Sequence, residues 1–216
     1  MQISNQMKLN IIGVLLLALL GVSAWAASQH LSGYSLFPLL CIGYAAFRVI
    51  FELTYNRANV PTLATGFVGR RKIAAVLQRE VSMRGKSPFT IIDLGSGRGE
   101  LTRYIANSIP VAQVTGIEIA RIPCMQAAFV QRWLGPKNLS YQCCDFWPFD
   151  CSKIDAVVFY LTPTYAQRVG EKLHREMKSG SIVISHTFPL LGAWIPDKVL
   201  TFRSPFKEVV YVYRKE

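Results

Sequence analysis

Hydrophobic positions are concentrated at the N-terminus of the chain, where two apolar runs follow each other. The first run spans residues 11–27 and the second spans residues 31–47, and no Lys, Arg, Asp or Glu occurs between Lys8 and Arg48. Each run is about as long as the shortest helix that crosses the hydrocarbon core of a bilayer, roughly 17 residues. The pattern therefore predicts a hairpin of two membrane-spanning helices.

Two other interpretations of these runs stay open. A cleaved signal peptide would use Ala24-Trp25-Ala26 as its small-residue cleavage site, and a buried hairpin of a globular core would explain the apolar character alone. Basic residues favour the membrane hairpin, because Lys8 precedes the first run and Arg48 and Arg57 follow the second. The positive-inside rule then places both ends of the hairpin in the cytoplasm, and we expect the rest of the chain to face the cytoplasm from the inner membrane.

The pattern changes after residue 88, where short β-branched runs alternate with amphipathic stretches. The predicted strands are residues 89–94, 111–119, 139–143, 154–160 and 181–187, followed by a hairpin of 198–202 and 209–213. The predicted helices are residues 66–82, 100–107, 122–133 and 164–177. Strands that alternate with helices indicate an α/β fold with a mostly parallel sheet, here ending in an antiparallel strand. The predicted organisation is a membrane anchor (1–54), a basic linker and helix (55–87) and an α/β domain (88–216).

The composition fits the same division between an apolar N-terminal part and a charged remainder. Hydrophobic residues make up 51% of the chain and charged residues 17%, yet the formal net charge is +11. These values exclude an intrinsically disordered chain and a disulfide-stapled miniprotein. The basic residues that follow the apolar runs, among them Arg70, Arg71 and Lys72, predict attraction to anionic lipid. Nucleic acid is not an expected partner, because no basic motif with interleaved aromatic residues is present.

The five cysteines show neither a CxxC pair nor the Cys/His spacing of a zinc site. No metal site is expected. An odd number of cysteines in a cytoplasmic domain is typical of reduced, mostly buried thiols, and that is the prediction for Cys41, Cys124, Cys143, Cys144 and Cys151.

The first group of candidate ligand-binding residues lies at the end of the first predicted strand, in the turn Asp93-Leu94-Gly95-Ser96-Gly97-Arg98-Gly99-Glu100. Glu100 stands where a dinucleotide fingerprint has its third glycine, and no Gly-Lys-Ser/Thr follows as a P-loop requires. Gly95 and Gly97 let the backbone approach a ligand closely. A carboxylate at Asp93 would repel a pyrophosphate but suits the cationic ammonium and sulfonium of S-adenosylmethionine.

Two further acids follow the next two strands. Glu118, after the second strand, is placed to accept hydrogen bonds from both ribose hydroxyls of a nucleoside. Asp145, after the third, is placed to accept from an adenine amino group, with Phe146 packing on the ring. Ligands of such sheets bind at the carboxyl ends of the strands, so Asp93, Gly95, Ser96, Gly97, Glu118, Asp145 and Phe146 form the predicted cofactor-binding set.

The glycine turn and the two acids together resemble the class I S-adenosylmethionine-dependent methyltransferases. The resemblance covers roughly residues 60–216 and implies a Rossmann-like methyltransferase sheet with S-adenosylmethionine as the cofactor. It also implies that Asp93, Gly95 and Gly97 line the methionine end, Glu118 the ribose and Asp145 the adenine.

A narrower resemblance is to the small membrane-anchored protein-lysine methyltransferases, the family that acts on the ATP synthase c-subunit and the adenine nucleotide translocase. Val60-Pro61-Thr62, the strand end Ser185-His186-Thr187-Phe188-Pro189 and the turn Trp194-Ile195-Pro196-Asp197 carry it. The fourth strand ends in Tyr160-Leu161-Thr162-Pro163, which departs from the family. It also lacks the Asn/Asp-Pro-Pro-Tyr/Phe of adenine and glutamine methyltransferases.

Tyr160, Thr162 and His186 are the candidate catalytic residues, because they lie at the strand ends where the acceptor would bind. Tyr160 or His186 would orient the acceptor or pass its proton to water. The expected activity is methylation of a lysine of a membrane-associated protein. A lipid, a quinone or another small hydrophobic acceptor is the alternative, and a non-enzymatic membrane scaffold with a vestigial cofactor fold is a third interpretation.

Overall fold

The structure, a computed structural model, describes residues 65–85, 88–203 and 207–216 together with residues 43, 44 and 46. The chain divides into two compact units, Met1–Val60 and Pro61–Glu216. The two predicted membrane helices, apart from residues 43, 44 and 46, lie outside the described residues. Within the described part of the chain there is no helix that is both long and apolar enough to cross a membrane.

A seven-stranded sheet in the order β3-β2-β1-β4-β5-β7-β6 forms the centre of the second unit. The strands are β1 (Phe89–Leu94), β2 (Ala112–Ile117), β3 (Leu139–Gln142), β4 (Ala156–Phe159), β5 (Ile182–His186), β6 (Pro196–Arg203) and β7 (Lys207–Arg214). Strands β1 to β5 run parallel, and β7 pairs antiparallel with both β5 and β6. The strand order reverses between β1 and β4, which is the position where such sheets bind ligands.

Four helices are described: α1 (Phe67–Arg84), α2 (Glu100–Ser108), α3 (Arg121–Leu134) and α4 (Pro163–Glu176). Each helix and strand predicted between residues 66 and 216 is present, with ends that differ by a few residues from the sequence pattern. The predicted α/β fold with a mostly parallel sheet and an antiparallel final strand is confirmed.

Apolar side chains cover both faces of the sheet, because successive residues of a strand point to opposite sides. Ile91 of β1 lies in one buried cluster with residues of α1 and α2. Its neighbour Ile92 lies in the other cluster with Ala166, Val169 and Leu173 of α4. The glycine turn and the strand ends are therefore carried by a sheet that is packed on both sides.

Helix α1, which the sequence analysis grouped with a linker, packs its apolar face on the sheet. Ile73, Leu77 and Val81 are buried in the cluster that also contains residues of α2 and of β7. The helix ends at Arg84 and is followed by Gly85, whose φ of 58° is the left-handed conformation common after a helix C-terminus. Arg70, Arg71 and Lys72 thus lie on a helix that contributes to the core of the second unit.

The prediction of reduced thiols is wrong for Cys124 and Cys143, which form a disulfide with Cα atoms 5.6 Å apart. The pair is separated by 19 residues in sequence, but α3 packs beside β3 and brings the first turn of the helix to the strand end. Cys144 is free and exposed, and Cys151 is free and buried. Burial raises the pKa of the Cys151 thiol to about 11. Cys41 lies outside the described residues.

Truncating Leu77 to alanine should destabilise the protein by about 2–5 kcal/mol, because the fully buried side chain leaves a cavity between α1 and the sheet. Met83→Ala on the same helix is the control, since Met83 is 58% exposed and its loss should cost less than about 0.5 kcal/mol. Urea unfolding of the full chain in mild detergent measures both. Equal effects of the two substitutions would contradict the packing of α1 described above.

Candidate active site

The turn between β1 and α2 lies at the carboxyl edge of the sheet and is fastened to the end of β2. The backbone N–H groups of Gly95 and Ser96 both donate to the carbonyl oxygen of Ile117, at 2.9 and 3.1 Å. The Gly97 N–H donates to the Glu118 carboxylate at 2.8 Å. The path of the turn is thus set by hydrogen bonds to the neighbouring strand end.

Glycine is required in this turn by backbone conformation and by close packing. Gly95 has a φ of 75°, and a Cβ there would lie 3.0 Å from the Leu161 side chain. Gly99 has a φ of 74°, and a Cβ would lie 2.0 Å from the hydroxyl oxygen of Tyr141. That hydroxyl donates to the Gly99 carbonyl oxygen at 2.9 Å. Larger side chains at either position would strain the turn and displace its neighbours.

Asp93 is a buried carboxylate at the end of β1 that accepts a hydrogen bond from the Thr102 hydroxyl at 2.6 Å. Burial raises the pKa of Asp93 to about 7, the Thr102 hydrogen bond opposes that rise, and the Glu118 carboxylate adds to it. An anion in this position is disfavoured until a cation approaches. The site is therefore suited to a positively charged group.

Glu118 joins the glycine turn to the start of α3. One carboxylate oxygen accepts from the Gly97 N–H and the other from the Ala120 N–H at 2.7 Å. A carboxylate can accept about four hydrogen bonds, so the two described bonds leave room for two hydroxyl donors. The predicted ribose contact is compatible with this geometry.

Ser96 adds an unusual feature, because its hydroxyl oxygen is buried and has no hydrogen-bond partner. Buried polar atoms nearly always have a partner in folded proteins. The hydroxyl lies beneath the turn against β2, since a Cβ built on Gly116 would lie 2.7 Å from it, so the predicted contact of Ser96 with the cofactor stays a prediction.

Asp145 and Phe146 follow β3 but differ in their surroundings. Asp145 is exposed, and one of its carboxylate oxygens accepts from the Trp147 N–H at 3.0 Å. Phe146 is only 7% exposed and packs with the Trp147 ring at a centroid distance of 5.0 Å. Asp145 is open to a ligand, whereas Phe146 belongs to the apolar cluster beneath this edge. Their predicted adenine contacts stay predictions.

The candidate catalytic residues lie at the ends of the adjacent strands β4 and β5. The partly exposed Tyr160 ring lies on the His186 ring with centroids 4.4 Å apart. Thr162 is also partly exposed and directly precedes α4, where its carbonyl oxygen accepts from the Ala166 N–H at 2.8 Å. The structure brings Tyr160 and His186 together and places Thr162 two residues farther along.

His186 is held by side chains that the sequence analysis did not identify. Its Nε2 lies 2.9 Å from the Glu208 carboxylate, and its Nδ1 lies 3.4 Å from the Thr65 hydroxyl. Burial lowers the pKa of His186, although the hydrogen bond and the charge of Glu208 oppose the change. A neutral ring that donates from Nε2 and accepts at Nδ1 satisfies both contacts. In this arrangement neither ring nitrogen is open to a substrate.

The backbone after His186 is strained. Thr187 has a φ of 72°, a rare conformation for a β-branched residue. The Phe188 N–H donates to the His186 carbonyl oxygen at 2.9 Å, and the Ser185 hydroxyl donates to the Phe188 carbonyl oxygen. Strain of this kind costs about 1–3 kcal/mol and is concentrated at functional sites.

Together these residues fit S-adenosylmethionine. Asp93 suits its ammonium group, and Glu118 has acceptor capacity for the ribose hydroxyls. Thr102, Tyr141 and Glu208 support the site but escaped sequence analysis. Their hydrogen-bond partners Asp93, Gly99 and His186 lie 9, 42 and 22 residues away in sequence, respectively. Local sequence patterns carry no signal for such pairs.

Comparison with known proteins agrees with this site. The sequence model described as the ANTKMT methyltransferase domain matches residues 93–198. A protein-lysine N-methyltransferase of Saccharolobus islandicus (strain REY15A) is 27% identical over 125 residues, which cover 57% of this chain and 77% of that protein. A malonyl-[acyl-carrier protein] O-methyltransferase of Acetivibrio thermocellus is 28% identical over 123 residues, which cover 55% of this chain and 42% of that protein.

Among solved structures, an RNA methyltransferase of Salinibacter ruber in complex with S-adenosyl-L-homocysteine is similar, with a TM-score of 0.55 and 25% sequence identity. The match covers 65% of this chain and 90% of that chain. These similarities confirm the prediction that S-adenosylmethionine is the cofactor. The individual contacts of the predicted cofactor-binding residues stay predictions.

Gly95→Ala should weaken S-adenosylhomocysteine binding by more than about tenfold, because the substitution strains the turn and pushes a methyl group against Leu161. Gly192→Ala is a matched control, since Gly192 has a φ of 73° and open space around it. Both variants carry similar backbone strain, so calorimetric titration separates strain from site damage. Unchanged binding by Gly95→Ala would show that the cofactor does not depend on this turn.

The affinity for S-adenosylhomocysteine should rise with pH up to about 7 and then level off, because its ammonium group needs the ionised Asp93 carboxylate. Below that pKa the ionised fraction falls about tenfold per pH unit. The folded ligand-free protein binds this proton more tightly than the unfolded chain, so Asp93 lowers stability as the pH rises from about 4 to 7.

Thr102→Val should move the midpoint of this affinity profile to higher pH, because it removes the hydrogen bond that lowers the pKa of Asp93. Asp93→Asn should bind weakly with a flat profile. Calorimetric titration between pH 5.5 and 8, a range of roughly one and a half pH units below and one above the pKa, measures all three proteins. A flat wild-type profile would contradict the assignment of the ammonium contact to Asp93.

Proposed function

We propose that this chain, a class I S-adenosylmethionine-dependent methyltransferase, methylates a lysine amino group of a protein held at a membrane. The observation that carries the proposal is the match of residues 93–198 to the ANTKMT methyltransferase domain. The protein-lysine N-methyltransferase of Saccharolobus islandicus supports the acceptor class, since the match covers 77% of that protein.

The cofactor end of the site is built from the strand ends described above. Asp93 would bind the ammonium group, Glu118 the ribose hydroxyls and Asp145 the adenine amino group. The bound cofactor supplies an electrophilic methyl group carried by a sulfonium sulfur. The contribution of the glycine turn is to let the ligand approach its backbone closely and to keep it in one orientation.

The acceptor end favours an uncharged amine. A lysine must lose its proton before it can attack, and removal of water from an ammonium group lowers its pKa. Tyr160 presents a partly exposed aromatic surface, and the ring below it belongs to His186, whose pKa is lowered by burial. We assign to Tyr160 the orientation of the acceptor nitrogen, and to His186 the support of Tyr160. Thr162 lies nearby at the start of α4 and would contact the acceptor chain.

Membrane attachment is the second part of the proposal and rests on sequence. Residues 11–47 contain no charged side chain, and Lys8, Arg48 and Arg57 flank them. Two spans with both ends in the cytoplasm would hold the methyltransferase unit against the inner membrane. A substrate in or at the same membrane would then be presented at high local concentration.

A second candidate function is methylation of a small, hydrophobic or carrier-bound acceptor. The likeness to a malonyl-[acyl-carrier protein] O-methyltransferase favours it, although this chain spans less than half of that protein. A membrane anchor would present a lipid or quinone to the site as well as it presents a protein.

Incubation of the purified full chain with tritiated S-adenosylmethionine and membranes from source cells that lack it should label a protein band. The label should resist mild alkali, because N-methyl groups are stable where carboxyl methyl esters hydrolyse. Mass spectrometry of the labelled band should then find methylated lysine.

The matched controls are Gly192→Ala, which should label like the wild type, and Gly95→Ala, which should not. Label extracted into organic solvent would favour a lipid or quinone acceptor, and alkali-labile label would favour a carboxylate. Cofactor binding without transfer to any fraction would overturn the enzyme proposal in favour of a membrane scaffold.

A further inference from the structure

Helix α3 exposes a stripe of large apolar side chains. Met125, Phe129 and Trp133 are 62%, 66% and 68% exposed. They are spaced four residues apart, so they line one face of the helix. The Phe129 and Trp133 rings contact each other at a centroid distance of 6.5 Å. We call these three residues the α3 stripe.

The α3 stripe lies on the side of the helix that points away from the protein. The buried residues of α3 are Cys124 and Ala127, which at 100° per residue lie on the opposite side from Phe129. The disulfide from Cys124 to Cys143 fastens the start of the helix to the end of β3. The stripe is therefore presented on a helix fixed to the sheet rather than on a loose segment.

Basic residues border the stripe. Arg121 and Arg132 are exposed and lie next to Met125 on the helix circumference, and the exposed Lys137 follows the helix. The helix contains no Asp or Glu. Aromatic and aliphatic residues on one face with arginines at its edge are the pattern of helices that lie in the interface of an anionic bilayer.

We propose that the α3 stripe docks on the surface of a bilayer with anionic headgroups and thereby gives the methyltransferase unit a second membrane contact. The occupant is a lipid surface rather than a protein because the chain itself carries the uncharged run 11–47 and a net charge of +11. The inference rests on the membrane attachment under the proposed function.

Trp133 provides a direct probe of this contact. The full chain is reconstituted into vesicles of phosphatidylcholine with brominated phosphatidylglycerol, in a Trp25→Phe background that removes the tryptophan of the apolar run. Bromine quenches tryptophan fluorescence only at short range. Most of the quenching should be lost when Trp133→Phe is added, because Trp194 is buried and Trp147 is half-buried.

Charge is tested with a matched pair of arginine reversals. Arg132→Glu should reduce Trp133 quenching, whereas Arg175→Glu, the reversal of another exposed arginine at the end of α4, should leave it unchanged. Replacement of phosphatidylglycerol by brominated phosphatidylcholine should weaken the quenching in the wild-type background.

The outcomes separate this inference from the proposed function. A chain that does not co-sediment with vesicles overturns both the membrane anchor and the docking of α3. A chain that co-sediments while Trp133→Phe leaves quenching unchanged overturns the docking alone. If the shielding of Trp133 depends on protein concentration and not on lipid, a second copy of the chain covers the α3 stripe. That outcome also overturns the docking proposal.

Discussion

The site depends on the hydrogen bonds that attach the β1–α2 turn to the end of β2. One carbonyl oxygen, that of Ile117, accepts from two consecutive N–H groups of the turn. The Glu118 carboxylate then accepts from Gly97 on one side and from Ala120 on the other. A single strand end thus orients the glycine turn, the start of α3 and the acid itself. Because all three are coupled, the ligand side of the site is organised before any ligand arrives.

That organisation has an electrostatic cost. Asp93 and Glu118 are both buried acids at neighbouring strand ends, and burial together with their mutual repulsion raises the pKa of Asp93 to about 7. A bound cation removes this penalty, so part of the affinity for a positively charged ligand comes from relief of an unfavourable state of the free protein. Function and stability are therefore opposed at this position, as is common in active sites.

The acceptor end is organised differently, by packing and strain. Tyr160 rests on His186, His186 is held by Glu208 and Thr65, and Thr187 takes an unfavourable backbone conformation directly after it. Glu208 belongs to the antiparallel strand β7, which is inserted between β5 and β6. Strand β7 thus supports Tyr160, the residue to which we assign the orientation of the acceptor, because Glu208 holds the His186 ring against which Tyr160 packs.

The α/β fold, the strand and helix positions and the cofactor class followed from the sequence, because alternating strand and helix patterns and a glycine turn after an acid are local signals. Asp93, Glu118 and Tyr160 were located for the same reason, since each lies within one residue of the end of a recognisable strand. Long-range partners could not be located in this way. Only the tertiary structure paired Cys124 with Cys143, His186 with Glu208 and Tyr141 with Gly99. Chain order specifies which elements form, whereas the sheet order 3-2-1-4-5-7-6 decides which side chains meet, because contacts between elements depend on their neighbours in space.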